Sequence, residues 1–118
     1  MLPARSRMRL RRDFDAAVRA GRRAGRPRLV AHLRIDAATG GCPRVGFVVS
    51  RAVGNAPCRN RVRRRLRHLV RDRVQSLPRG TLLVVRANPA AARATYAELA
   101  ADLDTVLERL AGAHDHDR

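Results

Sequence analysis

The sequence predicts a single α+β domain, a two-layer sandwich with helices over a small mixed sheet. Three features predict it: the length of one domain, two runs of alternating apolar residues, and longer stretches with apolar residues at helical spacing. The 118 residues suffice for one modest core, and neither a repeat nor a linker divides them. Residues 1–118 are therefore read as one domain, with 1–9 a flexible arm and 112–118 a frayed tail.

The elements follow in order. Leu10, Phe14, Ala17 and Val18 fall at helical spacing and Gly21 supplies a stop, which predicts a first helix over Leu10–Ala20. Gly21–Pro27 reads as a basic turn. In Arg28–Ile35, Leu29, Ala31, Leu33 and Ile35 point one way and Val30, His32 and Arg34 the other, so one strand face packs and the other is open to a ligand. The Thr39-Gly40-Gly41 turn leads to a second strand, Arg44–Ser50, with Val45, Phe47 and Val49 opposed to Gly46, Val48 and Ser50. Asn55 is suited to cap a helix that tolerates Pro57 in its first turn and runs to about Ser76. Its apolar stripe is Val62, Leu66, Leu69, Val70 and Val74. Opposite stand Asn60, Arg64, Arg67 and Arg71, at steps of four, three and four. Pro78-Arg79-Gly80 breaks the chain before a buried strand, Thr81–Val85, closed off by Pro89. Thr95 and Glu98 have capping-box spacing, and Leu99, Leu103, Val106, Leu107 and Leu110 form one helical stripe.

Charge narrows the function. The net charge is +16, and all 26 cationic residues are arginine. Residues 1–86 hold 23 arginines against 4 acids, and residues 87–118 hold 3 against 6, so the last segment is not part of a binding face. Such a surface calls for a polyanion. Cys42 and Cys58 lack metal-ligand spacing and read as buried or inert thiols, and no secretory signal or membrane-length apolar run is visible. A cytoplasmic protein off the membrane is the expectation. His114-Asp115-His116 reads as a non-specific metal binder and His68 as a surface residue.

The densest signal is Arg59-Asn60-Arg61-Val62-Arg63-Arg64-Arg65-Leu66-Arg67 on the central helix. A guanidinium pairs two phosphate oxygens at once and stacks on bases, which suits structured RNA. A merely solvated face would leave like charges four residues apart with little acid to relieve them. With about six arginines on phosphates, log affinity should fall against log salt with a slope near −4 to −5.

This block resembles the signature of the protein component of bacterial ribonuclease P. It follows Val49-Ser50-Arg51 and Val53-Gly54-Asn55-Ala56, with Leu10-Arg11-Arg12-Asp13-Phe14 in front and Thr95-Tyr96-Ala97-Glu98-Leu99 behind. The resemblance implies a fourth strand, giving helix–strand–strand–(strand)–helix–strand–helix, on a sheet like that of the second domain of a small-subunit ribosomal protein. It implies a protein that binds the catalytic RNA subunit and the 5′ leader of precursor tRNA, while the RNA hydrolyses the phosphodiester. No cofactor is bound by the protein alone, magnesium comes through the RNA, and no obligate protein partner is implied. Carried onto this chain, the RNA-binding residues are Arg59, Asn60, Arg61, Arg63, Arg64, Arg67 and Arg71. The leader cleft is Phe14, His32, Val48, Ser50 and Arg51. The chain departs from the family at Val18, often aromatic, at Ala52, often basic, and at His32, where tyrosine is common. His32 makes pH-sensitive leader binding an expectation.

Three other classes remain, one of them a double-stranded DNA binder with its arginine helix in a major groove, for which neither a dimerisation seam nor helix-turn-helix spacing is visible. A ribosomal or ribosome-assembly protein would share the charge and fold class but gives no reason for a leader-sized cleft. A protein-only nuclease is disfavoured by the lack of clustered carboxylates or paired histidines in the folded part.

Overall fold

A computed structural model describes residues 6–8, 15, 17–19, 21–35 and 41–116 of the chain, with 112–116 as backbone alone. Four strands, β1 (Arg22–Gly25), β2 (Leu29–Ile35), β3 (Arg44–Val48) and β4 (Thr81–Ala87), form one mixed sheet. Two long helices, α1 (Ala56–Arg71) and α2 (Tyr96–His116), contribute their apolar stripes to one core with the sheet. Ahead of the sheet, Asp15, Ala17, Val18 and Arg19 are helical. This is the small α+β domain that the residue pattern predicts.

The strand order is β1-β2-β4-β3. β1 and β4 both pair with β2 antiparallel, and β3 pairs with β4 parallel, the connection between them running through α1. β2 and β3 are therefore not neighbours, and the Thr39-Gly40-Gly41 turn, of which only Gly41 is described, does not close a hairpin. The physical reason lies in β4. Leu83 and Val85 on one side and Val84 on the other are all buried, and a strand covered on both faces belongs in the sheet interior.

Alternation along β2 and β3 holds. Leu29, Ala31, Leu33 and Val45 join Leu83, Val85 and Ala87 in the core, with Phe47 packed against them. α1 contributes Val62, Leu66, Leu69 and Val70, and α2 contributes Leu99, Leu103, Val106 and Leu110, as the helical stripes require. The Asn55 side chain accepts from the Cys58 amide at 3.0 Å, and Thr95 and Glu98 exchange bonds of 2.9 and 3.1 Å in a complete capping box.

Several expectations are corrected. Arg22–Gly25, read as a turn, is β1, because an edge strand closes its backbone hydrogen bonds without apolar alternation. α1 stops at Arg71 rather than near Ser76. Beyond it the Arg73 side chain donates to the Leu69 carbonyl at 2.7 Å, taking a helix-end acceptor, and a short turn, Val74–Ser76, follows. Val18 is 48% exposed whereas Ala17 is fully buried, so the front stripe is narrower than its spacing suggests. Within the expected arm, the Met8 amide donates to the Val45 carbonyl at 2.9 Å and Arg7 bridges Val45, because β3 is an edge strand with acceptors to offer. The α2 backbone continues to His116 through much of the expected frayed tail.

Gly21 ties the front segment to the sheet. Its amide donates to the Ala17 carbonyl at 3.0 Å. A Cβ there would lie 2.2 Å from the Ala17 oxygen and 2.8 Å from that of Leu33.

Candidate nucleic-acid interface

α1 carries its arginines at three angular positions around the buried stripe. Asn60, Arg64 and Arg71 point outward and are exposed. Arg63 and Arg67 lie on the flank nearest β3, where with Met8, Gly46 and Phe47 they line a concavity. Arg61 and Arg65 lie on the other flank, toward the turn Pro89–Arg93. There Arg61 Nη2 donates to the Ala92 carbonyl at 3.3 Å and Arg65 Nη1 to the Ala94 carbonyl at 3.0 Å. Arg59 is half-buried and its Nε is enclosed without a partner.

The carboxylates are elsewhere. Glu98 and Asp102 of α2 hold Arg28 at 2.5 and 3.3 Å, Asp102 also meets Arg26 at 3.6 Å, and Asp104 takes a two-pronged bond from Arg73 at 2.5 and 3.1 Å. Among the described residues, Arg59, Arg63, Arg64 and Arg67 have no carboxylate partner, and Arg71 meets Asp72 at 3.7 Å. The acid-rich last segment thus neutralises arginines at the β1–β2 turn and beyond the end of α1, and leaves the outward row cationic.

Of the proposed leader residues, His32 and Val48 share the sheet face away from α1 and α2. His32 stands opposite Val84 on β4, and Val84 stands opposite Gly46 on β3. Val48 is one step along β3, opposite Arg86. Ser50 and Arg51, both exposed, follow β3 on the way to α1. Phe14 lies outside the described residues. This face is not bare as the alternation suggests: Val30 and His32 are only 8% and 9% exposed, and Met8 and Ala17 pack on Val84.

His32 Nδ1 is buried without a hydrogen-bond partner. Burial, then the charges of Arg23 and Arg86, hold its pKa below the ordinary 6.5. Arg23 is directly opposite His32 on β1, and Arg86 is two residues from Val84 on β4; both are exposed. These two guanidiniums at the rim were missed by sequence reasoning. Arg86 continues the Leu82-Val84 alternation, a signal hidden by ending that strand at Val85.

The other candidates stay apart. Both cysteines are free: Cys58 is half-buried, and Cys42, which precedes β3 at the sheet margin, is exposed. His68 is exposed. Among the described residues no group of three or more His, Cys, Asp or Glu side chains could hold a metal ion, and no helix is long and apolar enough to cross a membrane.

With the geometry in place, comparison with known proteins gives one consistent answer. The family model described as "Ribonuclease P" matches residues 2–111. The chain is similar to the ribonuclease P protein component of Streptomyces avermitilis, 58% identical over 119 residues covering 95% of this chain and 97% of that one. It is also similar to that of Thermobifida fusca, 59% identical over 113 residues covering 91% and 77%. Among solved structures it is similar to the RNase P protein of Thermotoga maritima in complex with 1-(4-fluorophenyl)-2-thiourea, with a TM-score of 0.73, 28% identity and coverage of 88% and 96%. The RNase P protein of Staphylococcus aureus shares the fold, with a TM-score of 0.77, 23% identity and coverage of 87% and 93%.

Proposed function

Because the chain belongs to the ribonuclease P protein family, and so to the protein subunits of an endoribonuclease, we propose that it docks on the catalytic RNA through the outer row of α1 and guides the 5′ leader of precursor tRNA. Arg59, Asn60, Arg63, Arg64, Arg67 and Arg71 supply the docking face. The sheet face around His32 and Val48, continued by Ser50 and Arg51 and rimmed by Arg23 and Arg86, receives the leader, and Phe14, earlier in the sequence, is a further leader residue. The RNA carries out the phosphodiester hydrolysis with its own magnesium, and the protein works in the cytoplasm by raising affinity for substrate and metal.

One observation carries this reading: among the described residues, the arginines on the outward and β3-facing sides of α1 lack carboxylate partners, Asp72 beside Arg71 excepted, while Glu98, Asp102 and Asp104 are engaged by arginines elsewhere in the fold. An uncompensated row of guanidinium groups on a rigid helix matches a ribose-phosphate backbone in charge and in fork geometry. Pre-organised arginines also lose less entropy on contact than mobile ones.

Reconstitution tests it. The chain is mixed with a bacterial ribonuclease P RNA at low magnesium and given precursor tRNA. Restored leader removal, together with tighter binding of precursor than of mature tRNA, is expected. A complex that binds both tRNAs equally contradicts the leader assignment.

A further inference from the structure

Resting on the reading that α1 docks on RNA, we infer that Arg61 and Arg65 are positioning residues: they fix the roll of α1 against residues 92–94 and do not themselves contact RNA.

Helix geometry separates them from the outer row. At about 100° per residue, and taking Leu66 as the centre of the buried stripe, Arg65 sits about 100° to one side and Arg61 about 140° to the same side. Arg67 sits about 100° to the opposite side and Arg64 about 160° away, nearly diametric to the core. Arg61 and Arg65 therefore share one flank, one turn apart, and that flank faces the Pro89–Arg93 turn.

Their guanidiniums are already engaged. Arg65 Nη1 is 3.0 Å from the Ala94 oxygen and Arg61 Nη2 is 3.3 Å from the Ala92 oxygen, with a longer contact of 3.7 Å to Cys58 Sγ. The acceptors lie 29 and 31 residues away in sequence, so these bonds join separate parts of the fold. A charged donor to a neutral acceptor is among the stronger hydrogen bonds a surface offers, and two at successive turns resist rotation of α1 about its axis.

The anchor is itself held. Ala94 is buried and runs directly into the Thr95–Glu98 capping box, and Glu98 holds Arg28 beside β2 at 2.5 Å. The path Arg65, Ala94, Thr95, Glu98, Arg28 links the α1 flank to the start of α2 and to the start of β2, an inner strand of the sheet. Without this anchor α1 would sample neighbouring rolls and would have to be ordered again on binding, with Arg64 and Arg67 still reaching phosphate once the complex has formed. Side chains held within about half an ångström of the productive geometry are what recognition requires.

The test compares R61Q/R65Q with R64Q/R67Q, each assembled with the catalytic RNA, with affinity measured across salt concentrations. Positioning predicts that R61Q/R65Q binds roughly tenfold more weakly at fixed salt with the wild-type slope. R64Q/R67Q loses about 1.5 from the slope, as two phosphate contacts should. A slope lost from R61Q/R65Q as well means direct contact and overturns positioning alone. Unchanged affinity of a folded R61Q/R65Q means that the two residues serve stability only, and also overturns it. An unchanged slope in R64Q/R67Q overturns the docking face, and the positioning role with it.

Should R61Q/R65Q not fold, the wild-type complex decides. Phenylglyoxal modification read by mass spectrometry should protect Arg64 and Arg67 when RNA is added and leave Arg61 and Arg65 unchanged. Protection of Arg61 and Arg65 equal to that of Arg64 overturns the proposal.

Discussion

Arg28 and Asp102 are 74 residues apart in the chain, yet their side chains meet at 3.3 Å, with the carboxylate 4% exposed. Asp102 also faces Arg26, so one buried carboxylate holds both ends of the β1–β2 turn against α2. Asp102→Asn removes that charge and leaves two arginines that are 29% and 38% exposed and thus still hydrated. A loss of about 1–3 kcal/mol is predicted, below the cost of stranding a fully buried charge. Urea unfolding measures it, and an unchanged midpoint contradicts the role.

Acid should weaken the fold through the same helix. The Thr95 amide and then Arg28 hold the Glu98 carboxyl below its ordinary 4.5, and the bond from Arg73 holds Asp104 below 3.8. Depressed carboxylates stabilise the folded state fully above those ordinary values and lose the contribution as pH falls through the lower folded values. These two pairs therefore add nothing to the pH dependence of the urea midpoint between about pH 7 and 5, where His32 titrates, and steepen its fall below about pH 5. E98Q/D104N should flatten the drop, and an acid limb as steep as wild type would count against both pairs.

His32 carries the opposite linkage between binding and pH. In the free protein its lowered pKa keeps it neutral at pH values above 6.5, and folding stability is lost as pH falls through that value, because the unfolded chain takes the proton more readily. Leader phosphates beside Arg23 and Arg86 would offset their charge and raise His32 again. Leader affinity should therefore be level between about pH 8 and 7.5 and strengthen toward about pH 5.5, a change lost in His32→Gln. Affinity independent of pH across that range disproves it.

Gly21→Ala should separate the two surfaces. The added Cβ collides with the Ala17 and Leu33 carbonyls, which are backbone and cannot swing aside. A cost of about 1–3 kcal/mol is predicted, from displacement of the front segment off β2. Preference for precursor over mature tRNA should fall while the salt slope for the catalytic RNA is kept. Loss of both together would mean that the segment does not serve the leader face separately.

The sequence made the large periodic elements legible. The stripes of α1 and α2, the Asn55 cap and the Thr95–Glu98 box are local patterns, and the residues behave as their spacing demands. β1 was hidden because Arg22-Arg23-Ala24-Gly25 has no apolar alternation; only pairing with β2 makes it a strand. The insertion of β4 between β2 and β3 is a tertiary choice driven by burial on both its faces. The arginine row was legible as a row, but its division was not, since the acceptors for Arg61 and Arg65 belong to Ala92 and Ala94. That Val18 and Cys42 are exposed was not legible, because residue type and spacing alone do not say which margin of the fold stays open.

Docking of the outward guanidiniums of α1 on the phosphates of the catalytic RNA is read from the dependence of assembly affinity on salt for the wild type and for R64A/R67A. A wild-type slope near −4 to −5, shallower by about 1.5 in the double variant, is predicted. A wild-type slope near zero, or the same slope in both proteins, would contradict it.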